Sequence, residues 1–107
     1  MNIASLQAPL VRQSIEAIND GDIDDFMALF TPDAVVVDGP VYDGAAAIRG
    51  WAARETFGVH MRLDALRELN ADGTTVELQA TSTGGYNGVA EFAYSLRDGL
   101  IARLEIS

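Results

Sequence analysis

The chain has 107 residues, no cysteine and a formal charge of −9 from 7 basic and 16 acidic side chains, and 49% of it is hydrophobic. Length and apolar content fit one domain, 1–107, with material for a core, while the acidic balance opposes phosphate backbones and excludes nucleic acid as a partner. Without cysteine there is no disulfide framework or thiol nucleophile, and with no basic leader or apolar run of roughly 18 residues the chain reads as cytoplasmic, neither exported nor membrane-bound.

From Leu10 to Asn19, Leu10, Val11, Ile15 and Ile18 fall on one face of a helix, with Arg12, Gln13, Glu16 and Asn19 elsewhere. Gly21 stops this helix. Asp22, with Asp25 three residues on, has the form of a cap opening a second helix striped by Ile23, Phe26, Met27 and Phe30. Thr31-Pro32-Asp33 ends it, because the residue before proline is pushed out of the helical region. Ala34 to Val37 then reads as a buried strand, turned by Asp38-Gly39-Pro40. Asp43 is placed to cap a third helix, 44–57, with Ile48, Trp51, Ala52 and Glu55 on one side.

The second half alternates with period two. Val59, Met61, Leu63 and Ala65 share one face and His60, Arg62, Asp64 and Glu68 the other. After the turn at Asn70-Ala71-Asp72-Gly73, Val76, Leu78 and Ala80 oppose Glu77, Gln79 and Thr81. Beyond the glycine-rich break 84–88, Phe92, Tyr94 and Leu96 oppose Glu91, Ala93 and Ser95, and Arg97-Asp98-Gly99 leads into Leu100, Ala102, Leu104 and Ile106. Helices at one end and strands at the other predict an α+β layer pair: three N-terminal helices packed on an antiparallel sheet.

The order helix, Asn19-Asp20-Gly21-Asp22, helix, Ala28-Leu29-Phe30-Thr31-Pro32-Asp33-Ala34, a strand ending in Asp38, then Gly44 through Ala47-Ile48-Arg49 and a four-strand meander resembles the nuclear transport factor two-like superfamily. Within it, the chain is most similar to the SnoaL-like polyketide cyclase and ketosteroid isomerase branch. The resemblance covers nearly the whole chain and implies a cystatin-like fold in which the three helices and a curved antiparallel sheet enclose a conical pocket, often as a homodimer. It also implies that Asp38 is the general acid/base that moves a proton on carbon next to a carbonyl. That chemistry takes a carboxylate in apolar surroundings and a donor that holds the enolate oxygen. The isomerases' two donors fall on Ser14 and Phe92 here, so the pattern departs from a ketosteroid isomerase.

The candidate site is therefore Asp38 as catalytic carboxylate, with Ser14, Tyr42, Trp51, His60 and Tyr94 as ligand-binding side chains. Asp38 also has the simpler reading of a turn residue at a strand end, and Ser14 that of a hydroxyl bonded back to its own helix. Trp51 and Tyr94 serve equally as core filler, their polar edges needing partners when buried. His60 falls by alternation on the polar sheet face, and only a bulge would turn it to the pocket. Tyr86 is placed near the pocket rim. One histidine and scattered carboxylates make no metal site, and the glycine-rich break lacks the helix N-terminus that holds phosphate, so neither metal nor cofactor is expected. Two functions fit. One is a pocket protein for a small apolar or carbonyl-bearing molecule, acting as an acid/base isomerase or cyclase through Asp38. The other is a noncatalytic dimerisation or partner-binding domain with a filled interior. The mixed-charge outer face of the sheet is either a solvated lattice of cross-strand pairs or, as the resemblance implies, the homodimer contact. An epoxide hydrolase-like enzyme would need a second inward carboxylate and an Arg near Asp38, and strand parity offers no obvious second carboxylate.

Overall fold

The computed structural model describes residues 1–107. A short 3-10 turn at Ile3–Ser5 leads into α1, Pro9–Asp20, which opens on proline at its first position, where the missing N–H costs nothing. Gly21 closes α1 in the left-handed conformation, its N–H donating to Ala17 and Ile18 carbonyls. The Asp22 side chain accepts from the Asp25 N–H at 2.9 Å and opens α2, Ile23–Met27, as its sequence implies.

Strand β1 runs from Phe30 to Val37, and Pro32 is inside it rather than before it. Its pairing shifts between Phe30 and Val35, an irregularity of the kind that accommodates a residue with no N–H to give the ladder. After the Asp38-Gly39-Pro40 turn the chain pairs back on β1 as β2, Val41–Asp43, a strand the sequence reading did not contain. Asp43 consequently belongs to the sheet. Gly44, at φ +88°, begins α3, Ala45–Ala52, with no side-chain cap. The third helix then widens into a π-helical turn, Ala53–Phe57, where the Met61 N–H reaches back five residues to the Thr56 carbonyl at 3.0 Å.

Strands β3 (Arg62–Glu68), β4 (Thr75–Thr81), β5 (Gly88–Arg97) and β6 (Leu100–Ile106) form the expected antiparallel meander. The full sheet is mixed, in the order β2-β1-β6-β5-β4-β3, because β6 returns beside β1 and runs parallel to it. Residues 58–60 form a turn, so β3 starts three residues later than alternation suggests. In β6 the irregularity opposite Ser95 and Leu96 leaves Ala102 as an extra residue: Ser95 pairs with Arg103 and Leu96 with Ile101. Leu104 points into the core as parity assigns, but Ile101 takes the inward place that uninterrupted parity gives to Leu100 and Ala102.

The three helices cover one face of this sheet. Val11, Ile15 and Ile18 of α1, Phe26 of α2 and Ile48 and Trp51 of α3 meet Leu63, Val76, Leu78, Phe92, Ile101 and Leu104 in one core. No helix is long and apolar enough to cross a membrane. The opposite face carries the ion pairs Arg67–Glu77 at 3.3 Å across strands and Arg103–Glu105 at 3.5 Å along one; exposed pairs of this kind contribute little. Arg97 also pairs with Asp33, and its guanidinium holds the Asp33 carboxyl below the ordinary value of 3.8. A depressed carboxyl contributes stability above its unfolded value and loses it as pH falls through the folded one. Arg97→Ala is accordingly expected to lower stability slightly at pH 7, where the contribution is complete, with the difference from wild type vanishing as pH falls below about 4, so that the acid limb of the profile is flatter. Thermal melts from pH 2 to 7 read this directly.

Candidate functional site

Asp38 ends β1, where the backbone must reverse; its N–H donates to the Pro40 carbonyl at 2.9 Å, and Gly39 takes the positive φ of +71° that the turn requires. This turn leaves the half-buried Asp38 carboxylate facing α3, and its Oδ2 accepts the Trp51 indole N–H at 2.9 Å. Trp51 is buried against Phe26, ring centroids 6.4 Å apart, and against Tyr42 at 6.1 Å. The bond both satisfies the indole and fixes one oxygen of the carboxylate.

Beside this pair lies a cavity of about 200 Å³. Asp38, Trp51, Glu55 and Thr56 form its helix-side wall, and Met61, Leu63, Ala80, Ala90, Phe92 and Ile106 its apolar sheet side, with Tyr86 and Ser107 also contributing. The space exists because the inner sheet layer is thin here. Ala80 pairs with Gly88, and Ala90 with Leu78, so small side chains on adjacent strands leave volume that Leu or Phe would occupy. Ala90→Leu is expected to fill it, abolishing binding of small molecules while holding or slightly raising the melting temperature, as cavity-filling changes commonly do. A melt and a ligand titration on that variant check both halves.

The structure brings Asp38 and Trp51 together at the cavity and places the other four candidate side chains outside its lining. Ser14 and Tyr94 are buried and 2.7 Å apart. The Ser14 hydroxyl donates to the Val11 carbonyl at 2.8 Å, so the Tyr94 hydroxyl must be the donor to Ser14. Burial pushes the Tyr94 hydroxyl pKa well up, the Ser14 contact offsetting only part of this. The Ser14 proton is thus spent on Val11 and the Tyr94 proton on Ser14. Tyr42, half-buried on β2, supports the Trp51 ring from outside the cavity. His60 is exposed in the turn before β3 at φ +52°, so strand alternation does not govern its direction.

Tyr86 does border the cavity, its hydroxyl donating to the Val89 carbonyl at 2.6 Å. Sequence reasoning passed over Thr56, although Ile48, Ala52 and Thr56 recur every four residues along α3 and its extension. Glu55 shares the cavity with Trp51, as their common helical face implies, and it is a second carboxylate there that strand parity could not show because it lies on the π-helical turn. No group of three or more His, Cys, Asp or Glu side chains is arranged to hold a metal ion.

The model of the SnoaL-like domain matches residues 11–104. The chain belongs to this family. The match spans most of α1 through most of β6 and ends just short of Ile106 and Ser107 of the cavity lining. Solved structures agree on the fold of this SnoaL-like domain. A polyketide cyclase-like protein of Sinorhizobium meliloti is 27% identical, with a TM-score of 0.82 over 100% of both chains. The epoxide hydrolase/cyclase-like enzyme SalBIII, of pyran ring formation in the polyether salinomycin, is 22% identical with a TM-score of 0.73, covering 91% of this chain and 85% of its own. A Mycobacterium tuberculosis protein in complex with estradiol-17β-hemisuccinate is 17% identical with a TM-score of 0.74, over 91% and 88%. The fold is thus nuclear transport factor two-like, with polyketide cyclase-like and isomerase-like relatives. Among curated proteins no significant sequence match was found.

Proposed function

We propose that this SnoaL-like domain binds a compact, apolar, carbonyl-bearing molecule in the cavity and that Asp38 accepts a proton from the carbon beside the carbonyl. The observation that carries the reading is the Asp38 carboxylate on an otherwise largely apolar cavity, one oxygen held by Trp51 and the other not engaged by that bond. A carboxylate placed beside apolar walls is suited to general-base work, which contributes about 10²–10⁴-fold to a rate. Size narrows the ligand. An engineered apolar cavity of about 150 Å³ takes benzene, so about 200 Å³ suits a single substituted ring better than a fused tetracycle. The open cavity also weighs against the partner-binding reading, which requires a filled interior.

Acetophenone is a suitable probe because its methyl protons exchange with deuterium when a base reaches them. The protein in deuterium oxide is expected to accelerate this exchange, followed by NMR, and Asp38→Asn to lose about 100-fold or more of the acceleration. Asparagine keeps an acceptor for the Trp51 indole, so the fold and the cavity persist in the control. A wild-type rate no faster than buffer would end the acid/base reading, and absence of binding would end the ligand reading as well. The outer sheet face, with exposed Val89 among Glu77, Glu91 and Arg103, is proposed as the contact of a homodimer; sedimentation velocity at micromolar concentration reads the stoichiometry.

A further inference from the structure

A base on carbon is only half of the chemistry, because the negative charge that develops on the carbonyl oxygen needs a hydrogen-bond donor. Most candidate donors near this cavity are already committed. The Trp51 N–H is given to Asp38, the Tyr86 O–H to Val89, and the buried Ser14 and Tyr94 hydroxyls form their own closed pair. Carboxylates such as Asp38 and Glu55 act as acceptors. Thr56 is different. It is 3% exposed, lies on the cavity, and its side chain takes part in no hydrogen bond within the chain. Thr31 is the one residue with a sealed buried side-chain polar atom lacking a partner. The Thr56 hydroxyl is therefore unpartnered but not sealed, in a residue that lines the cavity.

The backbone there is unusual as well. Thr56 sits in the π-helical turn Ala53–Phe57, and such turns inside α-helices occur frequently at functional sites, where the wider turn re-aims side chains. We infer that the Thr56 hydroxyl is the hydrogen-bond donor that holds the ligand's carbonyl oxygen while Asp38 accepts the proton. This inference rests on the carbonyl-binding reading above. It gives the site a donor from the end of α3 in place of one at position 14 or 92, where this chain has a committed serine and a phenylalanine.

The test uses two probes of nearly equal shape, acetophenone and α-methylstyrene, the second carrying a methylene group where the first has its oxygen. Each is titrated into nitrogen-15-labelled wild type, Thr56→Val, Thr56→Ala and Thr56→Ser and read at the indole N–H of Trp51, the single tryptophan. Thr56→Val is expected to weaken acetophenone about three- to tenfold, the usual range for one hydrogen bond, with α-methylstyrene unchanged. Thr56→Ala is expected to lower the ratio of the two affinities in the same direction, and Thr56→Ser to restore acetophenone binding. Equal loss for both probes, or no loss for acetophenone, overturns the role of Thr56 while leaving the pocket standing. Failure of wild type to bind either probe overturns the pocket reading itself, and Thr56 with it.

Discussion

Gly58→Ala is expected to destabilise the domain by about 3 kcal/mol, the upper end of the range for overpacking. The reason is not backbone conformation, since Gly58 has φ −66°, which any residue adopts. A Cβ at this position would lie 2.2 Å from the Ala53 carbonyl oxygen and 3.4 Å from its carbon. The obstacle is backbone and cannot rotate away, so the π-helical turn must open or shift. Because Thr56 and Glu55 ride on that turn, the same substitution is expected to weaken binding in the cavity even where the protein remains folded. Urea denaturation measures the first effect. A change within 0.5 kcal/mol, the usual span for a surface position, would show that the turn yields easily and that its geometry does not set the site.

The Ser14–Tyr94 pair yields an asymmetric expectation. Tyr94→Phe removes one hydroxyl and leaves Ser14 still bonded to the Val11 carbonyl, a loss of about 1 kcal/mol. Ser14→Ala instead strands the Tyr94 hydroxyl in the core without an acceptor, at a cost of about 1–3 kcal/mol for its desolvation. The double variant should lose less than the sum, because its second substitution removes the stranded group. An alkaline titration supplies an independent check. The folded Tyr94 pKa is raised, so the stability it contributes is complete below the unfolded value of 10.0 and declines as pH rises above it. Tyr94→Phe should therefore flatten the alkaline limb of the stability profile. Equal single-variant costs with an unchanged alkaline limb would contradict the assigned donor direction.

Local rules recover much of this protein from the chain. The stripe Val11, Ile15, Ile18 identifies α1, the Asp22 cap opens α2, and alternation orients Val76, Leu78 and Ala80 correctly toward the core. The same rules fail where one residue is inserted or a turn interrupts. Ala102 shifts the parity of β6, and the turn at 58–60 removes His60 from β3. Both depend on pairing with a distant strand or packing against it, and neither leaves a mark on hydrophobic periodicity.

The site divides along the same line. Asp38 at a strand end was legible from its order among the surrounding elements, as was Trp51 on the inward face of α3. Their hydrogen bond was not, because it joins two elements whose angle is set by the whole core. By itself the sequence determined the three helices, the four-strand meander, most of their amphipathic faces and the carboxylate available to the pocket, all consequences of residue type and short-range spacing, but not β2 or the shifted face of β6. Only the tertiary structure decided that Ser14 and Tyr94 neutralise each other's hydrogen-bonding capacity while Thr56 keeps its hydroxyl free. Satisfying buried polar groups depends on which chain segments come together, and a π-turn or an extra strand residue changes that outcome without changing composition.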